Sequence, residues 1–206
     1  MADARQPGSV EDAMKLLREG NANYVADCME HPLQDSARRK KTAKKQNPWA
    51  IVLTCADSRV SPELVFDCGI GELFVVRVAG NIANACSIAS IEYAVHALGV
   101  KLIVVLGHEN CGAVKAALGG GSVSYNVDQL LGHLSRISAE FGPKWAKAKG
   151  AKKDAIQDEA AAQNAEYVAD LLRDQSSIIW NAEDLTIKPA IYSTATGEVN
   201  WGPWWT

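Results

Sequence analysis

The sequence predicts an α/β fold, a mostly parallel β-sheet core flanked by helices, and three observations predict it. Ala50–Thr54, residues 73–78 and residues 101–106 are nearly continuous apolar runs, the pattern of strands buried on both faces. Between the last two, Ile88, Ile91, Ala94, Val95 and Leu98 recur at helical spacing and the pattern stops at Gly99, so strand, crossover helix and strand follow in the order of a parallel βαβ unit. The first and third runs also end in polar residues capable of chemistry, and open parallel sheets hold their ligands beyond the carboxyl ends of their strands.

The other elements follow in chain order. Ser9, with Glu11 and Asp12 behind it, opens an amphipathic helix whose apolar face carries Val10, Met14, Leu17 and Tyr24. Nothing nearby in the sequence covers that face. Residues 31–47 are polar and contain the basic run Arg38 to Lys41 with Lys44 and Lys45, expected as a solvated loop. The run is short, has no interleaved aromatics and sits on a chain of net charge −3, which argues against a nucleic-acid surface. After the third strand come a helix over 113–118, Gly119-Gly120-Gly121, a helix over 127–141, a long helix over 156–175, and a hairpin over 189–201 turning at Thr196-Gly197. The glycine triplet lacks the Lys-Ser/Thr of a phosphate loop.

At 206 residues the chain fits one domain: an N-terminal helical arm and loop over 1–47, a core over 48–118, and helices with a C-terminal hairpin and tail over 119–206. No stretch approaches the ~20 apolar residues of a membrane span, and the N-terminus has no apolar secretory region, so a cytoplasmic protein is expected. Five widely spaced cysteines make no disulfide framework, which fits a reducing compartment. Cys28, Cys68 and Cys86 are expected as small buried apolar residues.

The remaining two cysteines carry the chemistry. Cys55, Asp57 and Arg59 close the first strand; His108 and Cys111 close the third. Two thiolates and an imidazole can hold a zinc ion through three bonds and leave its fourth tetrahedral position for water, the arrangement of catalytic rather than structural zinc. Asp57 and Arg59, close in sequence to a ligand, supply the charged pair that a metal-bound water needs nearby. His96 and His133 fall within helical patterns and carry no such company.

Cys-x-Asp-Ser-Arg at 55–59 and His-x-x-Cys-Gly at 108–112 resemble the β-class carbonic anhydrases. The likeness extends through Gly71 to Arg77, Ala79-Gly-Asn81 and Ile91-Glu-Tyr-Ala94, and closely covers residues 46–116. It implies one zinc per subunit held by Cys55, His108 and Cys111, an Asp57–Arg59 catalytic dyad, and reversible hydration of carbon dioxide to bicarbonate by zinc-bound hydroxide. Gln46, Phe74 and Tyr93 match the substrate pocket of the plant-like group, whereas the bicarbonate-regulated group has a tryptophan where this chain has Val52. Ala79 stands where a pocket valine is common. The resemblance further implies a homodimer, or a higher oligomer built from dimers, with the first helix packed on the partner subunit and with Gln46 and Tyr93 reaching the metal across the interface. The Trp-rich tail, Trp201 to Trp205, is a candidate to dock on a subunit surface. Two other readings share the motif: hydrolysis of carbonyl sulfide or carbon disulfide, and a non-catalytic zinc-stabilised binding protein. The second needs a fourth protein ligand, for which Cys68 and Cys86 are the spare thiols.

Overall fold

A computed structural model describes residues 5–202. Among these residues five strands form one sheet. The first three are the expected apolar runs: β1 (Ala50–Thr54), β2 (Leu73–Arg77) and β3 (Leu102–His108). Next to β3 lies β4 (Thr186–Tyr192), and the neighbouring pairs β2-β1, β1-β3 and β3-β4 are all parallel. Only β5 (Val199–Trp201) runs antiparallel, joined to β4 by the expected hairpin at Thr196-Gly197. From β1 the chain goes to β2 on one side and then to β3 on the other. The crevice beyond the ends of β1 and β3 is therefore the point where strand order reverses, the natural ligand site of an open parallel sheet.

Side-chain alternation explains why these strands are apolar throughout. Ala50, Val52, Leu102, Val104 and Leu106 face one side and join Ala13, Leu17 and Phe66 from α1 (Val10–Val25) and the turn after α3 (Pro62–Val65). Ile51, Leu53, Ile103 and Val105 face the other and join Ile88 and Ile91 of α4 (Ala85–Leu98) with Ala165, Val168 and Leu172 of α8 (Ala151–Asp174). Asn84 and Ser87 form a capping box at the start of α4, and Gly99 ends it at φ 70°, a left-handed conformation suited to glycine.

Several expectations change. The first helix finds its cover within the chain: Ala13 and Leu17 are buried, and the Asn21 amide donates to Val65 O at 3.1 Å and Gly197 O at 2.8 Å while accepting from Val199 N at 2.9 Å. Val10, Met14 and Tyr24 of the same stripe are only partly buried by the chain itself. The basic run is not a solvated loop but α2 (Ser36–Thr42), capped by Asp35, with Arg38 buried and its Nε donating to Ile70 O at 2.7 Å. The single helix expected over 127–141 divides into α6 (Tyr125–Gly132) and α7 (Ser135–Lys147), because the chain turns to bury Leu134 against Ile82 and Ala117. Cys68 is buried as expected, but Cys28 and Cys86 are exposed. Trp201 packs inside the chain, its ring 6.0 Å from Phe66 and under the Arg18 guanidinium, while Trp204 and Trp205 lie outside the described residues. No helix among the described residues is long and apolar enough to cross a membrane.

Candidate metal centre

Each ligand is placed by a strand end. Cys55 follows directly on β1, His108 is the last residue of β3, and Cys111 is the N-cap of α5 (Gly112–Gly119). Neighbouring strands thus deliver the side chains to one spot, and a tight turn with Asn110 at φ 53° brings Cys111 back beside His108. One ligand atom from each residue lies within 4.8 Å of the others, and all three residues are buried.

The local chemistry fits a cation such as zinc. His108 Nδ1 lies 2.8 Å from Glu109 O. A carbonyl can only accept, so Nδ1 carries the proton and Nε2 presents a lone pair. That Nε2 is buried with no hydrogen-bond partner. An orphaned acceptor facing two sulfurs is costly in the bare protein and is what a metal satisfies. The sulfurs themselves compete for a proton: hydrogen bonding with Cys111 lowers the Cys55 pKa, and the same contact raises that of Cys111. Gly80 N–H donates to Cys55 Sγ at 3.3 Å, and Cys111 stands at the positive end of a helix, both favouring thiolates. Among the described residues no fourth such ligand joins the three: Cys68 is held elsewhere by Phe66 O at 3.3 Å, and Cys86 is exposed.

Asp57, less buried than the three, stands beside this cluster with its Oδ2 4.0 Å from His108 Nε2. Arg59 grips the carboxylate bidentately, Nε to Oδ1 at 2.9 Å and a terminal nitrogen to Oδ2 at 2.9 Å, with its own N–H on Oδ1 at 3.0 Å. Those hydrogen bonds hold the Asp57 carboxyl well below the usual carboxylate range. Arg59 also reaches Asn110 O at 3.3 Å, tying the two ligand-bearing loops together.

A model of the carbonic anhydrase family matches residues 50–199, the span that holds every one of these groups. The chain belongs to the carbonic anhydrase family, in its β class. Carbonic anhydrase 2 of Mycobacterium tuberculosis is 52% identical over 106 residues, 52% of this chain and 51% of the relative; the chain thus spans about half the length of the curated relatives it matches. A β-carbonic anhydrase of Aspergillus fumigatus shares the fold at TM-score 0.73 and 26% identity, covering 92% of this chain and 90% of that one. Tetrameric β-carbonic anhydrases of Sordaria macrospora match at TM-score 0.71 and 25% identity, over 93% and 96%.

The other expected site residues are distributed differently within the chain of this carbonic anhydrase fold. Ala79 opens a short 3-10 turn (Ala79–Asn81) directly beside the Cys55 contact of Gly80. Phe74 pairs in register with Ile51, near the start of the strands, and its ring lies 6.3 Å from that of Tyr93, which is exposed on α4. Gln46 is exposed and precedes β1, whereas the three candidate ligands lie at or just beyond the carboxyl ends of strands. The chain therefore brings together Cys55, Asp57, Arg59, His108 and Cys111, with Ala79 adjoining, and leaves Gln46, Phe74 and Tyr93 away from the strand ends.

Sequence reasoning missed the supports behind this centre. Arg77 donates to Cys55 O at 3.1 Å and Asp57 O at 2.6 Å, pinning the first ligand loop. From α8, Gln157 donates to Cys111 O at 3.3 Å, Asp158 accepts from Asn110 N at 2.8 Å, and Asn164 donates to Gly80 O at 3.0 Å. No signal set them apart in sequence, since α8 also carries Lys152, Lys153, Asp154, Glu159, Gln163 and Glu166.

Proposed function

We propose that this chain is a zinc-dependent carbonic anhydrase that interconverts carbon dioxide and bicarbonate, with one zinc held by Cys55, His108 and Cys111. The observation that carries the reading is the orphaned, buried His108 Nε2 facing two cysteines, with an ionised Asp57 only 4.0 Å away. Zinc bound there supplies a Lewis acid able to lower the pKa of coordinated water to about 7. Asp57, held ionised by Arg59, can only accept a hydrogen bond, so its Oδ2 orients the O–H of the attacking water and leaves an oxygen lone pair for the carbon of carbon dioxide. The Arg59 fork fixes that carboxylate against rotation, which a lysine in its place would not do. The proton released on hydration leaves to buffer.

Ala79 lines the site from within the subunit in this proposal, and Gln46, Phe74 and Tyr93 complete an apolar pocket across a homodimer interface. Their distance from the strand ends in one chain, the exposure of Tyr93, and the tetrameric state of the Sordaria relatives support that arrangement. Val10, Met14 and Leu16 of α1 are only partly buried, which leaves a partner subunit some apolar surface to meet. A reducing, intracellular setting suits two ligand thiols that must stay free.

Stopped-flow hydration of carbon dioxide by zinc-loaded protein, across neutral to mildly alkaline pH, tests the reading. The expected result is rapid hydration that rises with pH and falls ~100-fold or more in Asp57→Ala. Hydration no faster than buffer at any pH would remove it, and carbonyl sulfide and carbon disulfide would be tried next.

A further inference from the structure

We infer that Asn164 and Gln157 are positioning residues for the metal ligands, fixing both cysteines from one face of α8 through the backbone groups beside them. The inference rests on the metal-centre reading of Cys55, His108 and Cys111. Asn164 is fully buried and Gln157 nearly so. Seven residues apart on a helix, they stack two turns from one another on the same face, about 10 Å along the axis. Asn164 Nδ2 holds Gly80 O at 3.0 Å, and the N–H of that same glycine points at Cys55 Sγ at 3.3 Å. Gly80 can serve both partners because it sits at φ 74°, and a Cβ there would meet Ala113 Cβ and Leu134 Cδ1 at 3.2 Å. Gln157 Nε2 holds Cys111 O at 3.3 Å, which also accepts the Lys115 N–H of α5.

The helix that carries these amides has little freedom to drift. It lies so close to β3 that a Cβ on Gly107 would meet Ala161 O at 3.1 Å and Ala165 Cβ at 3.4 Å. Gly107 immediately precedes His108. One helix therefore abuts the chain beside all three ligands: Gly80 for Cys55, Gly107 for His108, and Cys111 itself. Packing alone would be served better by apolar residues. Asn164 Oδ1 is buried without a hydrogen-bond partner, a desolvation cost that a residue kept only for volume would not carry. Its return is the orientation of a peptide whose N–H disperses charge from the Cys55 sulfur.

The test uses the full chain loaded with cobalt in place of zinc, so that sulfur-to-metal charge-transfer absorption reports the two thiolates directly. Asn164→Ala, Asn164→Asp and Gln157→Leu are compared with Leu172→Ala, which empties a buried position on the same helix away from the ligands. Metal affinity is measured by competition with a chromophoric chelator. The Asn164 and Gln157 variants are expected to lose ~10–100-fold in affinity and to show an altered charge-transfer band, while Leu172→Ala melts lower and keeps both. Parent-like affinity and absorption in folded Asn164 variants would overturn the inference, and so would an equal loss in Leu172→Ala. Should the Asn164 variants not fold, Gln157→Leu decides by the same two readouts. A parent that takes up cobalt without any sulfur charge-transfer band overturns the metal-centre reading and this inference with it; a parent with the band beside unaffected variants overturns the inference alone.

Discussion

Gly20→Ala is expected to destabilise the protein, against the sign that sequence alone assigns. In a helix interior, replacing glycine by alanine normally gains about 1 kcal/mol. Gly20, however, is the point where α1 touches the chain after α3. A Cβ there would lie 1.9 Å from Phe66 O, 2.6 Å from Phe66 C and 3.3 Å from Phe66 Cα. These are backbone atoms and cannot swing aside. The helix must lift by roughly 1.5 Å to regain ordinary contact, which loosens Leu17 in its buried position and stretches the three hydrogen bonds of Asn21. Overpacking of this kind costs up to about 3 kcal/mol, leaving a net loss of about 2 kcal/mol after the helix-propensity gain. For a chain of this length that is a fall of about 4–8 °C in Tm. Thermal unfolding of parent and variant at matched metal saturation measures it, since metal binding itself moves Tm. A variant that melts at or above the parent would refute the docking of α1 on its own subunit.

Two further outcomes are expected. Thiol labelling of the metal-loaded folded protein at mildly alkaline pH modifies Cys28 and Cys86 but spares Cys68, because burial raises the Cys68 pKa and keeps it a neutral thiol there; stripping the metal adds Cys55 next, since its pKa is held low, and peptide mass mapping checks the order. Arg77→Met leaves the fold intact but lowers hydration ~10–100-fold, because the loop from Cys55 to Asp57 loses both anchors; a parent-like rate in stopped flow would show that the loop holds itself.

The parts of this molecule that were legible in sequence are those in which one residue type has one reason to occur. An apolar run such as residues 102–106 has few uses except a strand covered on both faces, and cysteine with histidine at two neighbouring strand ends must meet in one cluster. The hairpin was legible for the same reason, since Gly197 must adopt φ 80°. Legibility failed where a tertiary contact decides between equal local options. The pattern over 127–141 is helical throughout, and only the pocket formed by Ile82 and Ala117 makes the chain turn at Leu134. Arg38 reads as a surface charge until Ile70 O is found to accept from it. Cys28 and Cys86 have the same letter as Cys68, and nothing in their neighbourhood states that they face solvent. The polar residues of α8 were equally silent, because their partners are backbone atoms of Gly80, Asn110 and Cys111, which leave no trace in side-chain pattern.

The bonds from Asn21 to Gly197 and Val199 join residues 176 and 178 positions apart. At a synthesis rate of roughly 5–20 residues per second, the first helix leaves the ribosome about 10–35 s before the hairpin it is to grip. Throughout that interval the stripe can lie on β1 and the turn after α3, but Asn21 has neither Gly197 nor Val199 to bond, so the helix is fully secured only when the hairpin arrives. A contact of such sequence separation is of the kind that forms slowly.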